Sequence, residues 1–338
     1  MRRNYISRIS RAELLIAALA LTATRAEALT INAIYDPTVP TAAQTAFDAI
    51  VQTYDRYFDN TATTVNLTVQ FGGGGLASSL TYDAVISYGA WRADMLATAA
   101  ANPANAYLGS GAATLPGADP LNGDLVQLAA ADARAIGVTA AQVVAGSLNP
   151  SADSKLTFSG SAAFCYTNCP QSSLYDFVSI AQHELNEALG IGSALSGLAN
   201  NAAAPSNSYQ PQDFFRFDSA GNRLVTTDPN AAVYFSYDGA TLVARFNQDS
   251  TAKGNTAADR NDWCYGNGTC PDSPSYVQNA IDYPNTTAPG LGQGTPEAIV
   301  LRTLGYSSSA SPVSEPGGLP LLGASLLGIG FARRARRP

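Results

Sequence analysis

The sequence predicts an α+β fold: a small twisted mixed sheet packed on one amphipathic helix, with a loop-rich C-terminal half. Three observations carry this reading. Apolar and polar residues alternate over Leu29–Tyr35 and Thr63–Phe71, the two-residue period of half-buried strands. Apolar residues recur at helical spacing between those runs and again over residues 174–189, where Val178, Ile180, Ala181, Leu185, Ala188 and Leu189 form a stripe. Beyond residue 200 the chain turns polar and rich in Asn, Asp, Gly and Pro, above all over residues 253–289. With 338 residues, 46% hydrophobic and 13% charged, it is long and apolar enough to bury a sizeable core.

In chain order, LTINAIY makes a first strand that Asp36-Pro37 ends. Ala46, Phe47, Ile50, Val51, Tyr54 and Phe58 place a helix over residues 42–58. TTVNLTVQF is a second strand, and the glycines of residues 72–75 form a turn beside the sheet. They lack the Gly-Lys-Ser/Thr ending and the basic partner of a phosphate loop. Residues 82–88 read as a strand, leading into a helix through Trp91 and Met95 to about Ala101. Residues 102–123 read as loop, 125–136 and 139–144 as two short helices, and 155–166 as a short strand. Further on, residues 233–237 and 241–246 flank Asp238-Gly239 as a hairpin, and Thr295-Pro296-Glu297 opens a last helix that ends at Gly305.

The two ends are addresses and not part of the fold. Residues 1–28 carry four arginines by position 11, an apolar run from Leu14 to Ala23 and the exit Ala26-Glu27-Ala28, the pattern of a secretory signal; ten apolar residues are too few to span a bilayer. Residues 29–306 form the body, 307–313 a linker and 314–338 a tail. In that tail Ser314-Glu315-Pro316 precedes an apolar, Gly-rich run and the arginines 333, 334, 336 and 337. Nine of the 19 basic residues are arginines at these ends, leaving about 10 basic against 23 acidic residues between them. That balance argues against nucleic acid or an anionic lipid surface as partner. Cys165, Cys169, Cys264 and Cys270 suit an oxidising compartment. Their spacing favours the local pairs 165–169 and 264–270, with other pairings and a four-cysteine zinc site left open.

The only histidine, His183, lies in HELNEALG on the 174–189 helix. On a helix His183 and Glu187 stand at i and i+4 and share a face, so both can reach one cation, and Glu184 is the next residue round. Two ligands separated by a general-base glutamate is the logic of the zinc-protease helix HExxH, here with glutamate in place of the second histidine. A histidine and two glutamates on a largely buried helix also need partners, which a metal supplies.

HELNEALG, the DFFRF segment at 213–217, the closing TPEAIVLRTLGY and the early INAIYD strand together resemble a family of exported metalloproteases of the zincin class, over most of residues 29–306. The tail resembles the PEP-CTERM sorting tail, with Ser314 where the usual motif has proline. That resemblance implies recognition by an exosortase-type enzyme and transient membrane contact through the tail, and with them a place at the cell envelope or outside the cell. Matched to the metzincin helix, His183, Glu184, Glu187, Gly190 and Ser193 occupy the defining positions, so two of three histidines are replaced. The resemblance implies Zn2+ held by His183, Glu187 and a third residue from elsewhere. Asp213 is the candidate, with Asp262 and Tyr209 as alternatives, and Glu184 is the general base. No Met-turn is available, because Met1 and Met95 are the only methionines.

The expectation is an exported metal-dependent peptidase acting on polypeptide. Its ligand set would be more anionic than three histidines, making a weaker Lewis acid or favouring a harder metal. The alternative is a non-catalytic envelope or matrix protein on a degenerate zincin scaffold. A Ser-His-Asp hydrolase, using Ser179 or Ser193, lacks the Gly-x-Ser-x-Gly elbow. Carbohydrate cleavage by two of the many carboxylates is the remaining class.

Overall fold

Strand β1, Thr30–Tyr35, forms where the sequence alternates, and it runs parallel to β2, Thr64–Gly73, in a register from Thr30 opposite Thr64 to Tyr35 opposite Val69. The crossover between them is helix α1, Thr41–Tyr57, which buries Ala43, Phe47, Ile50 and Tyr54. This computed structural model describes residues 28–59, 61–205, 207–251, 259–264 and 275–308. The signal-like residues 1–27, the tail and Cys270 lie outside the described residues.

After β2 come β3, Ala77–Thr81, and β4, Asp83–Ser87, then α2, Tyr88–Ala101, and α3, Ala106–Thr114. Next are β5, Leu125–Ala129, α4, Ala130–Ala135, β6, Ala145–Gly146, and β7, Ser154–Ser159. The short β8, Phe164–Cys165, and β9, Tyr175–Asp176, lead into α5, Phe177–Ala188. A 3-10 turn, Pro211–Phe215, and the strands β10, Arg216–Phe217, β11, Tyr234–Phe235, and β12, Ala244–Arg245, precede α6, Pro296–Leu304.

The main sheet has the order β1-β2-β7-β3, parallel except for β3, which runs antiparallel to β7 at the edge. It is a mixed sheet in an α+β chain of small sheets and six helices among the described residues. Val65, Leu67 and Val69 of β2 and Leu156 and Phe158 of β7 are fully buried, and α1 and α5 pack in the same core. A second sheet, β5-β4-β6, is antiparallel throughout, and β10-β11-β12 forms the expected hairpin plus one strand.

Four local expectations need correcting. The glycines of residues 72–75 are only partly turn: Gly72 and Gly73 belong to β2, and the chain then crosses past β7 to form β3 at its far side. Within the expected loop 102–123, α3 forms because Asn105 Oδ1 caps it at Leu108 N (3.3 Å) while Asn105 Nδ2 donates to the carbonyls of Arg302 (2.9 Å) and Tyr306 (3.1 Å), tying it to the end of α6. Residues 125–129 are strand and not helix, since pairing with β4 overrides an ambiguous apolar run, and residues 139–144 are turns. At the C-terminal end of the described body, Ser307 is buried and its N–H donates to Thr61 Oγ1 (2.7 Å). No helix among the described residues is long and apolar enough to cross a membrane.

Candidate metal centre

Helix α5 starts where Asp176 Oδ1 accepts from the N–H groups of Val178 (2.9 Å) and Ser179 (3.4 Å). Such a cap is worth about 1 kcal/mol. Phe177, Ala181, Leu185 and Ala188 bury one face against the sheet, and Tyr54 of α1 donates its hydroxyl to Asn186 Oδ1 (2.7 Å). The helix is thereby fixed in rotation, which decides where His183 and Glu187 point. Gly190, at φ +118°, lets the chain leave the helix in a backbone conformation that L side chains rarely adopt.

His183 Nε2 lies 3.7 Å from Glu187 Oε1 and 3.6 Å from Asp262 Oδ1. The other ring nitrogen, Nδ1, is 3.1 Å from the carbonyl of Val277. A carbonyl can only accept, so Nδ1 carries the hydrogen and the Nε2 position is turned toward two carboxylates. Two anions facing a lone pair repel it, so the arrangement calls for a proton or a metal ion between them. Zinc bonds of 2.0–2.2 Å at tetrahedral angles separate ligand atoms by about 3.4 Å, close to the two distances found. His183, Glu187 and Asp262 are the one group among the described residues whose donor atoms converge this way, all within 4.8 Å of one another.

The carboxylates are held from behind. Asn261 Nδ2 donates to both Glu187 Oε1 (3.1 Å) and Asp262 Oδ1 (2.8 Å), Gln278 Nε2 donates to Asp262 Oδ1 (2.9 Å), and Ser79 Oγ of β3 donates to Glu187 Oε2 (2.6 Å). Outer partners of this kind orient ligands and are nearly as important as the ligands themselves. Burial alone would lower the His183 pKa, but the charge of Asp262 and then the bond to and charge of Glu187 hold it well above the ordinary value. Burial opposes ionisation of Glu187 too, yet His183, Ser79 and Asn261 keep it below the usual range. Burial pushes Asp262 well up, with His183 acting the other way. Glu184 is pushed well up first by burial and then by the charge of Glu187, and its Oε2 is buried with no hydrogen-bond partner.

Of the ligands expected, His183 and Glu187 come together and Asp213 does not. Asp213 accepts hydrogen bonds from Ser193 Oγ, Ala194 N (2.9 Å) and Gln210 N (3.1 Å), so it pins the loop after α5 to the 3-10 turn. Ser193, which matching to the metzincin helix would put at the third-histidine position, is spent on that carboxylate and on accepting from Leu195 N (3.1 Å). Tyr209 donates to the Pro205 carbonyl (2.6 Å) and is likewise no ligand here. The third member of the group is Asp262, the alternative. Asn261, Gln278, Ser79 and the Val277 carbonyl were not foreseen, and only the adjacency of Asn261 to Asp262 could have hinted at them. Cys165 and Cys169 form a disulfide, with Cα atoms 5.9 Å apart, and Cys264 is disulfide-bonded.

Beside Glu187 a cleft of about 230 Å³ opens at the C-terminal end of α5, bounded by Ser79 and Thr81 of β3, Gly190 to Ser193, Asp83 and Asp259. A Cβ on Gly192 would sit 2.0 Å from Gln210 Oε1, so this wall of the cleft is passable only as glycine unless Gln210 moves. No protein-family model matches the chain, and no curated protein or solved structure is significantly similar to it.

Proposed function

We propose that the chain is an exported metal-dependent peptidase on a zincin-like scaffold, with His183, Glu187 and Asp262 as the metal ligands. The observation that carries this is the His183 ring, held by Val277 so that Nε2 faces two oriented carboxylates. One imidazole and two carboxylates fit a divalent ion of borderline to hard character, with zinc the first candidate and manganese or iron close behind. Such an ion supplies Lewis acidity and a water more easily deprotonated than in bulk.

The chain's own residues do the rest. Glu184, the next residue round α5 from His183, takes a proton from the attacking water as a carboxylate and delivers it to the leaving amine. Asn261 and Gln278 keep the two ligand carboxylates in place, and Ser79 ties Glu187 to the sheet. Because β3 stands at the edge of the main sheet, its outer edge can take an extended polypeptide by main-chain pairing beside the metal ligands. This favours polypeptide over a small substrate. The signal-like start and the disulfide Cys165–Cys169 support export, and the tail supports sorting by an exosortase-type enzyme.

Elemental analysis of the purified protein, followed by casein digestion with and without chelator, tests the reading. Glu184→Gln should keep the metal and lose hydrolysis by about 100-fold or more. Full activity of that variant removes Glu184 from the chemistry, and metal without cleavage in the wild type leaves a non-catalytic envelope scaffold.

A further inference from the structure

We infer that the cleft beside Glu187 is a specificity pocket for a lysine or arginine side chain of the bound polypeptide. This rests on the peptidase reading for its setting, since the pocket adjoins the metal ligands, but its chemistry is argued separately.

The pocket is deep enough: about 230 Å³ is the space of roughly seven waters, which accommodates a long unbranched side chain. Its position is right. Ser79 and Thr81 are two apart on β3 and line the pocket together, so a strand laid along that edge would direct alternate side chains toward the same face. Its lining selects the sign of the ligand. Asp83, Glu187 and Asp259 contribute carboxylates, hydroxyls come from Ser79, Thr81, Ser193 and Ser196, and among the described residues no lysine, arginine or histidine lines it.

A divalent ion would balance Glu187 and Asp262 and leave Asp83 without a cation, whereas Asp259 accepts from Ser196 and feels the charge of Arg260. Neither has an ion-pair partner within 4.0 Å among the described residues, where the pairs are Arg134 with Asp153 and His183 with Glu187 and Asp262. Asp83 Oδ2 accepts only from Gln127 Nε2 (2.6 Å), a neutral donor. The nearest arginine by sequence, Arg260, spends its guanidinium on the carbonyls of Leu195 and Leu198 and on Asn200 Oδ1 (2.8 Å). A half-buried carboxylate without a cation gains from one, and a side-chain ammonium or guanidinium entering the pocket supplies the missing donors and charge. An acidic side chain or a phosphate would meet the opposite.

Isothermal titration of the full-length Glu184→Gln protein, loaded with Zn2+, against matched peptides that differ only in lysine, arginine, norleucine or glutamate at one position tests this. The lysine and arginine peptides should bind at least about tenfold tighter than the norleucine peptide. Asp83→Asn should remove most of that preference, and Asp83→Glu should restore it. Equal binding of lysine and norleucine peptides, no binding of either, a preference for glutamate, or a basic preference that survives Asp83→Asn and Asp259→Asn together overturns the pocket. Basic preference without hydrolysis by the wild type keeps the pocket and sinks the peptidase; hydrolysis at sites of no basic preference does the reverse.

Discussion

The sheet region and the segment that crosses beneath His183 are built on opposite principles. In the first, β1, β2, β7 and α1 meet through apolar faces, with Leu67, Val69, Leu156, Phe158 and Phe47 fully buried. In the second, residues 259–263 and 275–279 have almost no regular structure and are tied by polar groups. Arg216 Nη1 donates to the Arg260 carbonyl (2.8 Å), Asn247 Nδ2 to the Asp259 carbonyl (3.0 Å), and Trp263 Nε1 and Gln278 N both donate to Glu297 Oε1 (3.0 and 2.9 Å). Apolar faces tolerate small shifts, whereas a hydrogen-bonded crossing holds one oxygen in one place. The candidate metal centre takes His183 and Glu187 from the first kind of structure and Asp262 from the second.

Breaking the apolar side should give the largest effect. Phe158→Ala removes a ring fully buried between Phe71 and Phe177 and should cost about 3–5 kcal/mol in denaturant unfolding. The folded fraction should still bind zinc normally. A loss of zinc affinity as large as the loss of stability would show that the two regions are not separable in this way.

The next contrast is between the two aspartates. Asp262→Asn should lower zinc affinity by about 100-fold or more, beyond the usual cost of disturbing an outer partner, with a smaller change in unfolding. Asp213→Asn should leave zinc affinity alone and cost about 1–3 kcal/mol, because Ser193 and two N–H groups lose a charged acceptor. If titration with a fluorescent zinc indicator gave the reverse order, Asp213 would be the ligand after all.

The smallest expected effect is in pH. Burial raises Asp55, Asp259 and Asp282 from ordinary carboxylate values to about 6, so the folded chain holds protons that the unfolded chain has released. Their contribution to stability is present below about pH 4 and is lost as pH rises toward 6. Zinc acts in the other direction, because His183 must lose its proton to bind, so the zinc-induced rise in Tm should grow across the same range. Thermal scans of chelated and zinc-loaded protein between pH 4.5 and 7 read both slopes; parallel curves would mean that zinc and protons do not compete.

The elements that were legible are those whose pattern is local and periodic. β1, β2, α1, α5 and α6 follow from alternation, helical spacing and a proline near the helix start. The places where expectation failed share one physical cause. Residues 125–129 became strand through pairing with β4, α3 formed where Asn105 met the end of α6, and β3 found its partner in β7 across the sheet. Each depends on a neighbour distant in sequence, which outweighs weak local preference.

By itself the sequence determined that a lone histidine and a glutamate one turn later share a helix face, because i and i+4 geometry needs nothing outside the helix. Only the tertiary structure decided that Asp262 and not Asp213 completes the group, that Val277 orients the imidazole, and that Asp83, Ser79 and Asp259 gather around one cleft. Those choices depend on the path of chain between them, and two aspartates in polar loops are alike until packing gives one a capping role and brings the other to the imidazole.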